Sequence, residues 1–147
     1  MVYLDTSFLA PLVIAEDTSD AVEAYLLKMA PGDLVTSFWT RVELASLISR
    51  KQRMGELSEV HAANIRAEFA RILSESFGVL MPSPADYIMA EELLAHHKTG
   101  LRAGDALHLA VASNQGGLEV LSLDQGLIKA AKLLGLKART GIRLPTK

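Results

Sequence analysis

Apolar and polar positions follow two rhythms along the chain. Short β-prone runs are Val2-Tyr3-Leu4, Leu34-Val35, Val79-Leu80-Met81, Val120-Leu121 and a weaker one from Leu136 to Thr140. Between them lie longer stretches with helical spacing. Asp17 or Thr18 predicts a cap for a helix reaching about Lys28. Thr36 or Ser37 predicts the start of one that runs to Met54 and stops at Gly55. Ser58 caps another, to about Ser76, stopped at Gly78. Ser83-Pro84-Ala85-Asp86 combines capping-box spacing with a proline at the first helical position, and that helix is expected to end near Gly100. Gly104 to Ser113 is small and apolar, and Gln125 to Leu134 ends at Gly135. Strands alternating with helices, with no hairpin signal, predict an α/β fold whose parallel sheet is covered on both faces. No repeat, low-complexity tract or linker interrupts the pattern, so residues 1–147 read as one domain.

Composition narrows the picture. Half of the 147 residues are apolar, which excludes a disordered chain and supplies a core. No apolar run approaches the roughly 20 residues that a spanning helix needs. Met1 leads straight into Val-Tyr-Leu-Asp with no basic stretch, so no secretory signal is read, and a cytoplasmic location is expected. There is no cysteine, which excludes disulfides, thiolate metal sites and a cysteine nucleophile. The net charge of −2 by itself gives no reason to expect nucleic acid. The charge is unevenly spread, however. The last 23 residues hold six bases (Lys129, Lys132, Lys137, Arg139, Arg143 and Lys147) and no acid. Such a run is either a solvated face or a phosphate-contacting edge.

Four acids fall at strand ends or helix starts. Asp5 follows the first strand, in Tyr3-Leu4-Asp5-Thr6-Ser7, where it also suits the cap of a short helix. Glu43 lies about two turns into the helix after the second strand and, taken alone, reads as an exposed helical glutamate. Asp105 opens Gly104-Asp105-Ala106-Leu107-His108-Leu109-Ala110-Val111-Ala112, a helix so apolar that it should be buried all round. A carboxylate entering such a helix needs compensation. Asp124 ends the fourth strand and suits a helix cap. Three of the four stand at the carboxyl end of the sheet, where α/β sites form. Two carboxylates about 4 Å apart repel by roughly 4 kcal/mol at an effective dielectric near 20. Converging acids therefore either gain protons or share a cation. An all-oxygen set suits Mg²⁺ or Mn²⁺ rather than Zn²⁺. Thr6, Ser7 and Ser122 are hydroxyls beside the acids, able to orient a carboxylate, a water or a phosphate. Arg41 and Arg102 are basic neighbours suited to phosphate. His108 reads as a core or supporting residue, His61 as exposed, and the adjacent His96 and His97 as non-chelating. Phe38 and Trp39 read as core or as a partner-binding surface near Glu43.

Taken together, Tyr3-Leu4-Asp5-Thr6-Ser7, Arg41-Val42-Glu43-Leu44, Arg102-Ala103-Gly104-Asp105-Ala106-Leu107-His108-Leu109-Ala110 and Ser122-Leu123-Asp124 resemble the PIN-domain nucleases. Within that family they resemble the VapC-type toxins of prokaryotic toxin–antitoxin pairs. The resemblance runs from residue 2 to about 144; Ser122 stands where the family often has threonine, and no acid is missing. It implies a central five-stranded parallel sheet with helices on both sides. It also implies Mg²⁺- or Mn²⁺-dependent endoribonuclease activity, homodimers, and inhibition by a cognate antitoxin lying across the toxin's groove. Asp5, Glu43, Asp105 and Asp124 are then the expected catalytic and metal-holding acids, with one ion or two left open.

Three alternatives remain at this point. A PIN-like nuclease could act in RNA processing, or on DNA, outside a toxin–antitoxin pair. An aspartyl-phosphate enzyme also places Asp after a first strand, but the phosphatase pattern wants a second Asp two residues on, where Ser7 stands. A non-catalytic RNA- or protein-binding module would not need the acid quartet.

Overall fold

In a computed structural model describing residues 1–146, five parallel strands form one sheet: β1 (Val2–Leu4), β2 (Leu34–Ser37), β3 (Gly78–Leu80), β4 (Glu119–Leu121) and β5 (Ala138–Arg139). Their spatial order is β3-β2-β1-β4-β5. The chain builds outward from β1 through β2 to β3, crosses back, and continues outward from β4 to β5. β1 is therefore central, and the reversal of winding falls between β1 and β4. At such a switch point the loops leaving the two strands part to opposite faces and open a crevice. The registers Val2↔Glu119, Tyr3↔Val120 and Leu4↔Leu121 bring Asp5 and Ser122 to the same edge.

Among the described residues, seven α-helices cover the sheet: α1 (Thr6–Leu9), α2 (Ser19–Leu26), α3 (Trp39–Arg53), α4 (Glu59–Ser76), α5 (Pro84–Ala95), α6 (Ala103–Asn114) and α7 (Gln125–Leu133). The strand period of two sorts the core into two layers. Val2, Leu4 and Leu121 pack with Phe8, Val22, Leu44, Ile48, Phe69 and Leu73, from α1 to α4. Tyr3, Val35 and Val120 pack with Leu93, Leu107, Leu109, Val111, Leu127 and Ala131, from α5 to α7. The expected helix-covered parallel sheet is what forms. α6 is buried without a break from Ala106 to Ala112, as its apolar sequence predicts. None of the described helices is long and apolar enough to cross a membrane.

Several boundaries differ from those predicted. Thr36 and Ser37 do not start a helix; they complete β2, and the Thr36 hydroxyl donates to the Leu4 carbonyl 2.8 Å away on β1. α3 begins at Trp39 instead, with no side-chain cap. α2 likewise lacks a cap from Asp17 or Thr18, and Thr18 Oγ1 is buried with no partner among the described residues. β3 starts at Gly78 and excludes Met81. α5 stops at Ala95, and a 3-10 turn over His97–Thr99 carries the chain to Gly100, whose φ of 69° is left-handed. The capping box at Ser83 and Asp86 and the caps at Ser58 and Asp124 are present as predicted. Of the C-terminal bases, Lys147 lies outside the described residues. Lys129, Lys132, Lys137 and Arg143 are exposed, while Arg139 is paired with Glu119.

Candidate active site

Asp5 sits where β1 opens into α1, only 2% exposed. Its Oδ1 accepts from the Phe8 N–H at 3.0 Å, which is the cap, and from the Ser7 hydroxyl at 2.7 Å. Its Oδ2 accepts from the Ser122 hydroxyl at 2.6 Å. The cap reading and the functional reading of Asp5 thus describe one side chain. Each serine has a single hydroxyl proton, and both are directed at Asp5. The 3.1 Å approach of Ser7 Oγ to Ser122 Oγ is therefore a contact without a proton. The two oxygens accept instead from backbone: Leu123 N–H donates to Ser7 and Asp124 N–H to Ser122. Burial pushes the Asp5 carboxyl above its usual range, opposed by the charge of His108 and by the serine and backbone donors.

Glu43 stands on α3, half-buried rather than the exposed residue that the helical pattern alone predicts. Thr6 Oγ1 donates to its Oε1 at 2.7 Å, and His108 Nε2 holds the same oxygen. A carboxylate only accepts, so Nε2 carries a hydrogen. His108 Nδ1 lies 2.7 Å from the Tyr3 hydroxyl, and Ser37 Oγ lies 2.8 Å from the same hydroxyl. Ser37, Tyr3 and His108 are all buried. They form a polar chain from β2 through β1 and α6 to Glu43. Burial pushes Glu43 up, but the hydrogen bond and charge of His108, helped by Thr6 and Arg102, outweigh it and hold the carboxyl below the usual glutamate range. Oε2 faces Gly104 at the start of α6: a Cβ there would lie 2.6 Å from it and 3.2 Å from Trp39 Nε1.

Asp105 occupies the first turn of α6, its side chain 15% exposed. Burial, then the charge of Asp124, push its carboxyl up to about 6, with Arg102 opposing. Asp124 caps α7 through Oδ1, which accepts from Gly126 and Leu127 N–H. Its Oδ2 accepts from Arg102 Nη2 at 2.7 Å. Arg102 Nε lies 3.5 Å from Asp105 Oδ2.

All four acids thus meet at one end of the sheet, joined by hydroxyls, an imidazole and a guanidinium. Arg41 is not drawn in: its guanidinium lies 5.9 Å above the Phe38 ring and pairs with none of the four among the described residues. Nor do the acids close on one point. Among the described residues, no three His, Asp or Glu groups converge tightly enough to hold an ion together. Asp5, Glu43 and Asp124 are each turned toward donors of their own. The donor chemistry nonetheless suits a hard divalent cation. The candidate ligand atoms are all oxygens, Glu43 Oε2 has no hydrogen-bond donor among the described contacts, and Asp105 is raised by burial and then by the charge of Asp124. Sequence reasoning passed over Tyr3 and Ser37. A tyrosine in a strand otherwise aliphatic, with a lone histidine in an apolar helix, was the available signal.

A family model described as PIN domain matches residues 2–133, a span that includes all four acids. The chain belongs to the PIN-domain family. This PIN domain is also 30% identical over 140 residues to Ribonuclease VapC35 of Mycobacterium tuberculosis, across 92% of this chain and 93% of the relative, which sets it among the VapC ribonucleases. Its fold resembles that of Mycobacterium tuberculosis VapC20, a sarcin-ricin loop cleaving toxin, with a TM-score of 0.72 at 21% identity over 92% of this chain and 96% of that one. It also resembles VapBC-1 from nontypeable Haemophilus influenzae, with a TM-score of 0.67 at 18% identity over 96% of this chain and 98% of that one.

Proposed function

We propose that residues 1–147 form a single nuclease domain that hydrolyses RNA phosphodiester bonds with the help of Mg²⁺ or Mn²⁺. In this reading it acts in the cytoplasm as the toxin of a toxin–antitoxin pair, as a homodimer restrained by a cognate antitoxin. The observation that carries the reading is the meeting of Asp5, Glu43, Asp105 and Asp124 at the switch point of the sheet, within a PIN domain. The kinship with Ribonuclease VapC35 supports RNA as substrate, and the likeness to VapBC-1 supports an antitoxin partner.

In this proposal the four acids would hold the cation. Once bound, such an ion polarises water and offsets charge on the phosphoryl group. The rest of the work falls to the chain itself. Ser7 and Ser122 fix the Asp5 carboxylate, and Thr6 and His108 fix Glu43 with Oε2 turned inward. Arg102, exposed at the rim, would meet the phosphate. A water oxygen would bond to phosphorus as the bond to the leaving ribose oxygen breaks, with the water's proton lost to solvent and the ribose oxygen taking one up from solvent.

The test is cleavage of RNA by purified wild type and Asp5→Ala in Mg²⁺ and in Mn²⁺. Cleavage should vanish in the variant while circular dichroism shows an intact fold. Undiminished cleavage by Asp5→Ala would remove Asp5 from the machinery. A wild type that binds RNA without cutting it in either metal would favour the binding-module reading.

A further inference from the structure

Arg102 occupies the position directly before α6, with extended backbone at φ −94° and ψ 160° and no side-chain cap. By helix physics it is the wrong residue there. Arginine does not cap an N-terminus, and a cation at that end opposes the helix dipole. The caps of α1, α4, α5 and α7 are Asp5, Ser58, Ser83 and Asp124. What offsets the cost is visible: the guanidinium reaches Asp124 Oδ2 through Nη2 at 2.7 Å, and Nε lies 3.5 Å from Asp105 Oδ2. Among the described residues it is the only Lys or Arg paired with any of the four acids.

The pairing is built to be exchanged. The two contacts come from different nitrogens to different carboxylates, so the parallel two-bond fork that makes Arg–carboxylate pairs strong is not used. The side chain is 75% exposed, where ion pairs are worth little and are screened by salt. Asp105 and Asp124 are both proposed to hold the divalent cation, so Arg102 and that cation compete for the same oxygens. A guanidinium released from them stays tethered at the rim, and a phosphodiester is the anion it would meet there.

We propose that Arg102 is a positioning residue that exchanges partners. It bridges Asp105 and Asp124 until a divalent cation takes those carboxylates, and it then transfers to a phosphate of the RNA. This inference rests on the proposed metal-dependent nuclease reading, and the test keeps the two apart. Its signature is an opposite effect on two ligands. Mn²⁺ binding is followed by calorimetry and by quenching of Trp39, the one tryptophan in the chain, whose ring nitrogen lies beside Glu43 and Gly104. Arg102→Gln should tighten Mn²⁺ binding by about two- to fivefold at low salt, the range of an exposed ion pair. The same variant should weaken binding of a non-cleavable 2′-O-methyl RNA in Mn²⁺ by a similar factor. Arg102→Lys, which keeps the charge, should restore both toward wild type. A role confined to supporting α6 would weaken both ligands together, and that result overturns the proposal. So does unchanged Mn²⁺ affinity in Arg102→Gln while wild type binds Mn²⁺ and Asp5→Ala does not; the nuclease reading then stands. A wild type that binds no Mn²⁺ overturns both.

Discussion

The Asp5 carboxylate caps α1 with one oxygen and accepts from Ser122 with the other, while almost wholly cut off from water. Burial raises its pKa, so holding it ionised opposes folding. Asp5→Asn keeps an acceptor for the Phe8 N–H and places an amide donor against Ser122. It should therefore raise the melting temperature in EDTA while reducing RNA cleavage by more than about 100-fold, the scale of losing a supporting group or worse at a metal site. A melting temperature that falls would show that the charge stabilises the fold rather than burdening it. Gly104 ties stability to the site in the opposite way. An alanine Cβ would lie 2.6 Å from Glu43 Oε2, and Glu43 cannot swing freely while Thr6 and His108 hold its other oxygen. Gly104→Ala should thus melt lower than wild type, because the held Glu43 and the Trp39 ring nitrogen 3.2 Å away must both give, and it should also lose Mn²⁺ affinity, measured by calorimetry. Wild-type Mn²⁺ affinity in that variant would show that Glu43 Oε2 is not a ligand.

Helix α6 draws on both the site and the core, and its far end is fastened separately. There Asn114 Nδ2 donates at 2.7 Å to Asp86 Oδ1, and Asp86 is only 3% exposed at the start of α5. Asn114→Ala leaves that buried oxygen without its donor, which costs about 1–3 kcal/mol. The loss should appear in urea unfolding with no change in Mn²⁺ affinity, because the site lies at the other end of the helix. The apolar run of α6, the capping box of α5 and the four acids were legible because each is a local pattern. Thr36 and Ser37 were misread for the same reason. They are cap-type residues before a helix, but strand pairing points the Thr36 hydroxyl at Leu4 and the Ser37 hydroxyl at Tyr3. Glu43 is another case. Its helix face looks neutral until α1 and α6 bring Thr6 and His108 against it from 37 and 65 residues away. Arg41 sits near Glu43 in sequence but is turned toward Phe38 by the helix.

Over the whole molecule, the burial of carboxyls at one sheet edge governs the response to pH. Asp5 lies above its unfolded value, and Asp105 moves from 3.8 to about 6. Between those limits the folded chain binds more protons than the unfolded one, so stability falls as pH rises from about 4 to 6. Glu43, held low, contributes in the opposite sense, and only below the usual glutamate range. Denaturant unfolding in EDTA at a series of pH values should show the decline, and Asp105→Asn should flatten it. A slope unchanged in that variant would place the titration elsewhere. The strand order has a further consequence, for the time course of synthesis. β1 is central and is made first, but its neighbour β4 and the serine that holds Asp5 come 117 residues later. At about 5–20 residues per second, roughly 6–23 s separate the two during translation. Throughout that interval a ribosome carries a chain whose Asp5 has no Ser122 and whose acid cluster lacks Asp124. A cell making this protein therefore meets the assembled centre only after β4 has been made, and truncated products that stop before β4 never carry it.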